Sequence, residues 1–172
     1  MTTMQCYTAA AGLALVLACG DSGERGATAQ ESARRPPPAP VDACGLLTQE
    51  EATAILGTPS SAPEQGPSNS CTFAAQSGRG DIMLAMLPLS FGSKEEFHAF
   101  VVKDTEEMNA RIKKDLGDAV KPTAVEPVPG VGEAAYYVSP TLVVLKNGRV
   151  LSIAAADRPQ AVAVAAKAAA RF

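Results

Sequence analysis

A single histidine, four cysteines and three pairs of adjacent glutamates are the side chains of this sequence with chemistry to offer. His98 is a general-base candidate, because imidazole titrates near neutral pH. It would need an orienting carboxylate and a nucleophile, and a triad cannot be built from one member. His98 follows Phe97 within a stretch of helical period and falls off its apolar stripe, so a surface or boundary position is expected. Glu50-Glu51, Glu95-Glu96 and Glu106-Glu107 would suit glycoside hydrolysis if two carboxylates faced each other across a cleft. The first two pairs fall where helices begin, and the macrodipole there favours anions without any substrate. Gly-x-Ser-x-Gly, Ser-x-x-Lys and His-Glu-x-x-His are absent. Gly130-Val131-Gly132 is half a phosphate loop, and it leads into a strand instead of the helix whose N-terminus would bind phosphate. One His and two cysteines committed to each other make no zinc site, and no cofactor is expected.

Tyr136 and Tyr137 are contact candidates of another kind. Neighbours in a strand point to opposite faces, so one ring turns away from the core. An outward Tyr offers contact area at low entropy cost. The second face of an antiparallel sheet is either solvated or covered by the first helix or the loop after it, and both arrangements stay open here.

The chain of 172 residues has room for one domain. Its aromatic content is 5% with no Trp, so the core must be built from Val, Leu, Ile and much Ala. Net charge is -3, and the longest basic cluster (Arg111, Lys113 and Lys114) is interleaved with Glu106, Glu107 and Asp115. That pattern is a solvated helix face. It argues against nucleic acid as a partner and against docking on anionic lipid through a basic surface.

Residues 9 to 18 form an apolar run of signal-peptide length, too short to span a bilayer. The run ends in Val16-Leu17-Ala18-Cys19 and resembles the lipobox of bacterial lipoproteins. The resemblance implies a signal peptide over 1–18, cleavage after Ala18 and diacylglycerol on the Cys19 thiol. Residues 19–40, ending in Arg34-Arg35-Pro36-Pro37-Pro38-Ala39-Pro40, lack any apolar period and cannot offset chain entropy by burial. They read as a flexible, Pro-rich tether averaging roughly 25 Å end to end, or as a polyproline-II docking motif. Cys6 lies in the segment removed with the signal, and it is given no role.

The remaining cysteines, Cys44 and Cys71, form an even pair in an exported chain and are expected to be a disulfide. Thr48 with Glu51 has the form of a capping box, followed by Ala52, Ile55 and Leu56 at helical spacing and a stop at Gly57 and Pro59. Two strands are expected over 71–76 and 82–87, the second apolar throughout as if covered on both faces. Ser93 with Glu96 opens a 23-residue helix with Phe97, Phe100, Val101, Met108, Ile112 and Leu116 on one face. Three strands follow over 133–138, 141–146 and 149–155, the last two joined by an Asn147-Gly148 hairpin turn. A final helix is capped by Asp157, with Pro159 in its first turn and Gln160 at the box position. The expected domain, 41–172, is α+β, with about five antiparallel strands, helices on one face and the order αββαβββα.

Cys44-Gly45-Leu46-Leu47-Thr48, Glu51-Ala52, Leu56-Gly57 and Cys71-Thr72-Phe73 resemble small secreted lipoproteins of high-GC bacteria that form a family of unknown function. Those proteins share a lipobox, a Pro/Ser-rich linker and two such cysteines. Gly130-Val131-Gly132-Glu133-Ala134-Ala135-Tyr136 and the strands around Asn147-Gly148 are similar as well. The resemblance covers most of 42–172 and implies a compartment and an architecture but no activity. The leading expectation is a non-enzymatic envelope lipoprotein, held to the membrane by its N-terminal lipid and binding an envelope protein, a polymer or a small apolar ligand. An enzyme with a loop-built hydrolytic site and a membrane-held inhibitor are the alternatives. A deep apolar cavity between the long helix and the sheet would favour ligand carriage.

Overall fold

Polar caps start the three helices of the domain. A computed structural model describes residues 40–78 and 80–172, which belong to one compact unit. Helix α1 (Gln49–Leu56) begins at Thr48, whose hydroxyl accepts from Glu51 N while a Glu51 carboxylate oxygen accepts from Thr48 N, a complete capping box. It ends at Gly57 with φ 67°, a left-handed position suited to glycine. Helix α2 (Lys94–Leu116) begins at Ser93, which accepts from Glu96 N. The reciprocal bond goes one residue further back, to Gly92 N. Helix α3 (Arg158–Ala168) begins at Asp157, which accepts from Gln160 N, and Pro159 occupies its first turn.

The sheet has seven antiparallel strands: β1 (Glu64–Gly66), β2 (Ser70–Ala74), β3 (Asp81–Ser90), β4 (Glu126–Pro127), β5 (Ala134–Val138), β6 (Thr141–Lys146) and β7 (Arg149–Ala154). Their spatial order is β1-β2-β3-β7-β6-β5-β4. Two meanders, β1 to β3 and β4 to β7, therefore lie side by side with β3 against β7, and α2 carries the chain from one to the other. The register of β3 on β7 shifts between Leu87 and Ser90. Pro88, which has no N–H for the ladder, sits at the shift. The β6–β7 turn is the expected Asn147-Gly148 hairpin, with φ 50° and 72°.

Three expectations are corrected. Five strands become seven, because β1 and β4 are edge strands of three and two residues that pair through backbone alone and carry no apolar alternation. The order becomes αβββαββββα for the same reason. Helices on one face become helices on both. β6 and β7 place Leu142, Val144, Leu151 and Ile153 on one face, and Leu145 and Val150 on the other. The first face packs against α1 and α3, and the second against Phe97 and Val101 of α2. The opening half of β3 is covered on one side only: Ile82, Leu84 and Met86 are buried while Met83 is exposed.

Cys44 and Cys71 lie at disulfide distance, Cα atoms 5.1 Å apart, and close the first-face core against the 3-10 turn Ala43–Leu46. A bridge closing a loop of this length stabilises by about 3.5 kcal/mol in the chain-entropy view. Asn69 fastens the same region, accepting from Ala43 N at 3.0 Å and donating to Val41 O at 2.7 Å. At the other end of the chain Phe172 is buried, Asn147 donates to its carbonyl, and Lys146 donates to Ala169 O.

Candidate functional site

The two faces of the sheet are packed to different degrees. On the first, 23 buried residues are joined by six half-buried hydrophobics. On the second, four buried residues are outnumbered by eight half-buried ones, among them Leu87, Leu89, Val138 and Val143. A sheet face left half-buried under a helix leaves space, and the structure has it there.

The space is a cleft of about 310 Å³ between α2 and the sheet. Its helix wall consists of Phe97, Phe100, Val101, Asp104, Thr105 and Met108, which recur at the three- and four-residue spacing of one helix face. Its sheet wall comes from Leu87 and Leu89 of β3, Val150 and Ser152 of β7, and Thr141 and Val143 of β6. Val138 of β5 and Ser139-Pro140 of the β5–β6 turn border one end. At the other end Phe97 packs its ring 5.7 Å from Tyr136 and 5.4 Å from Phe91, forming an aromatic stop. Phe100 continues that cluster at 5.2 Å from Phe91 and reaches the rim.

Small side chains make the cleft. Val101 and Thr105 stand on α2 where a Leu or Phe would reach the sheet, and Val143, Val150 and Ser152 face them. Thr105 is buried, yet its hydroxyl is already occupied, donating to Val101 O at 2.7 Å. It therefore presents its methyl group to the cleft without an unpaired polar atom. Of these, Val101 alone is visible in the sequence, as part of the α2 stripe, because the gap arises between elements distant in the chain. The available signals were Thr105 interrupting the apolar stripe of α2 and Ser152 interrupting the apolar run of β7.

The residues nominated for chemistry are dispersed. His98 is exposed on α2, and its ring lies 5.1 Å from that of Tyr136. Among the described residues no carboxylate or hydroxyl orients it. Glu51 belongs to the α1 cap and accepts from both terminal nitrogens of Arg171, at 2.6 and 2.9 Å. That guanidinium, followed by the Thr48 backbone bond, holds the Glu51 carboxyl below the ordinary carboxylate range, and Glu51 raises Arg171 in turn. Glu107 pairs with Arg111 at 3.7 Å along the exposed surface of α2. No two of the carboxylate pairs confront each other across the cleft. Buried Ser60 donates to Gln49 O and shares a hydrogen bond with Thr53, a polar contact that ties α1 to the following loop. Among the described residues, no three His, Cys, Asp or Glu side chains come together.

Both tyrosines are half-buried. Tyr136 points to the second face beneath α2. Tyr137 points to the first face, with Arg158 stacked 5.7 Å from its ring. The second face is thus covered beside Tyr136, by the long helix and not by α1 or its loop. Gly130-Val131-Gly132 is a loop leading into β5, and Gly132 lies against the β6 backbone. Cys19, the signal segment and nearly all of the linker lie outside the described residues. No helix among the described residues is long and apolar enough to cross a membrane. Comparison with protein-family models, with curated proteins and with solved structures finds no match to this chain.

Proposed function

We propose that this protein is a membrane-tethered envelope lipoprotein whose folded module holds a small apolar ligand in the cleft between α2 and the sheet. The observation that carries the reading is the apolar cleft of about 310 Å³, lined by half-buried Leu and Val side chains and exposed Phe100 that a guest would cover. Its volume is at the lower end of small-molecule sites. At about 30 Å³ per water-sized group it has room for on the order of ten methylenes or their equivalent. A chain of that length gains about 0.8 kcal/mol per methylene removed from water, so even partial burial gives useful affinity. Ser139, Thr141 and Ser152 are the hydroxyl-bearing residues, beside Thr105, in an otherwise largely apolar lining. The tether is part of the proposal on the strength of the Cys19 sequence, and kinship with secreted lipoproteins on that of the cap, helix stop and cysteine pair.

The test is displacement of a neutral solvatochromic dye from the full-length chain by linear alcohols of increasing length. Affinity should rise with each methylene up to about ten carbons and then level off. Ser152→Phe, which puts a ring into the cleft from β7, should abolish binding and leave the thermal midpoint unchanged or higher. An intact fold in which Ser152→Phe binds the dye as well as the parent would refute the site.

A further inference from the structure

Asp104 is the charged residue that lines the cleft. It is exposed, and among the described residues its carboxylate has neither a hydrogen bond nor an ion pair. It also lines a second groove of about 360 Å³ that continues from the cleft along α2 past Met108 to Ile112, Asp115 and Leu116. A ligand whose chain lies under the helix therefore emerges over Asp104. The polar residues that line the cleft beside it are Ser139 of the β5–β6 turn and Thr141 of β6, with Asp115 and Arg111 further along the helix. Arg111 is the cation among them, and it is paired with Glu107. Lys103 precedes Asp104 by about 100° around the helix and does not line the cleft.

From this charge arrangement, and resting on the ligand-binding reading above, we infer that the cleft accepts a single aliphatic chain ending in a cationic nitrogen and discriminates against fatty acids. A carboxylate head would be placed beside Asp104, and the cation of the groove, Arg111, is shared with Glu107. An ammonium head would find the Asp104 carboxylate, with Ser139 and Thr141 lining the same cleft. The carboxylate is solvated, so the preference is the modest one of an exposed ion pair, about fivefold, and salt screens it.

Decylamine, decanol and decanoate, identical in chain and different in head, separate the two terms. At neutral pH and low salt, decylamine should displace the dye from the full-length chain about fivefold better than decanol, and decanoate worse than either. Asp104→Asn should bring the three within about twofold of each other. Decanol binding with no advantage for the amine overturns the head-group inference and leaves the cleft standing. So does an amine preference that survives Asp104→Asn. Failure of all three to bind overturns the cleft, and this inference with it.

Discussion

Gly132 has the geometry that a sequence cannot display. Its φ is 59°, and a Cβ there would lie 2.6 Å from Leu145 O and 2.7 Å from Val144 Cγ1. The adjoining Glu133 N donates to the same carbonyl at 2.8 Å, so the loop cannot back away without breaking a bond. Gly132→Ala should therefore destabilise by about 3 kcal/mol, combining left-handed strain with overpacking. Gly78 has a similar φ of 70° but open space around it, and Gly78→Ala should lose only about 1 kcal/mol. Denaturant midpoints of the two variants decide the matter, and equal losses would remove the close-approach argument. Residue types announced the polar features well. Thr48, Ser93 and Asp157 are caps, Gly57 is a helix stop, and Asn147-Gly148 is a turn, because each acts on its own few neighbours. Gly130-Val131-Gly132 was readable only as a loop, since the partner that demands glycine at 132 is a carbonyl 13 residues on. Asn69 was passed over for a similar reason, its partners Val41 and Ala43 being distant in sequence.

At the scale of elements, α2 separates what periodicity reveals from what it cannot. Its 23 residues, capped at Ser93 and ended at Gly117, make about 35 Å of helix, whereas the six residues of β6 span about 20 Å. The helix starts near the β6–β7 turn, where Phe91 N donates to Gly148 O, and passes the β5–β6 turn at Met108. It must therefore overhang the sheet. The apolar stripe of six residues is real in sequence, but only Phe97 and Val101 are buried, and Leu116 is 63% exposed. Val101→Ala should destabilise by about 2 kcal/mol, while Leu116→Ala should change stability by no more than about 0.5 kcal/mol. Equal effects in thermal unfolding would place the end of the helix against something the present packing lacks. The overhang also explains why the cleft was foreseen only in outline. A helix-period stripe says which side faces the sheet, and the volume between them depends on how Val101 and Thr105 meet Val143, Val150 and Ser152. The short strands β1 and β4 were illegible because two or three polar residues pairing by backbone leave no alternation to read.

The whole molecule joins two meanders whose first face is sealed by α1, α3 and the Cys44–Cys71 closure, and whose second face is left partly open beneath α2. On the proposed reading, stability and binding belong to opposite sides of one sheet, so a guest would enter the second without loosening the first. The proposed export would place Cys44 and Cys71, which lie at disulfide distance, in a compartment where such a bond persists. A module of this kind would meet amphiphiles at the surface where they concentrate, provided its tether holds it there. A single acyl chain binds membranes only marginally, whereas the two chains of the proposed diacylglycerol on Cys19 would give stable anchoring. Expressed in a bacterial host with a lipoprotein pathway, the parent protein should sediment with membranes, resist a high-salt wash and be released by detergent. Cys19→Ala should instead appear in the soluble envelope fraction, with the alcohol series binding unchanged. A Cys19→Ala protein that still needs detergent for release would place the anchor elsewhere. A parent protein released by salt alone would remove the lipid from the proposal and leave the ligand cleft to be judged on its own binding data.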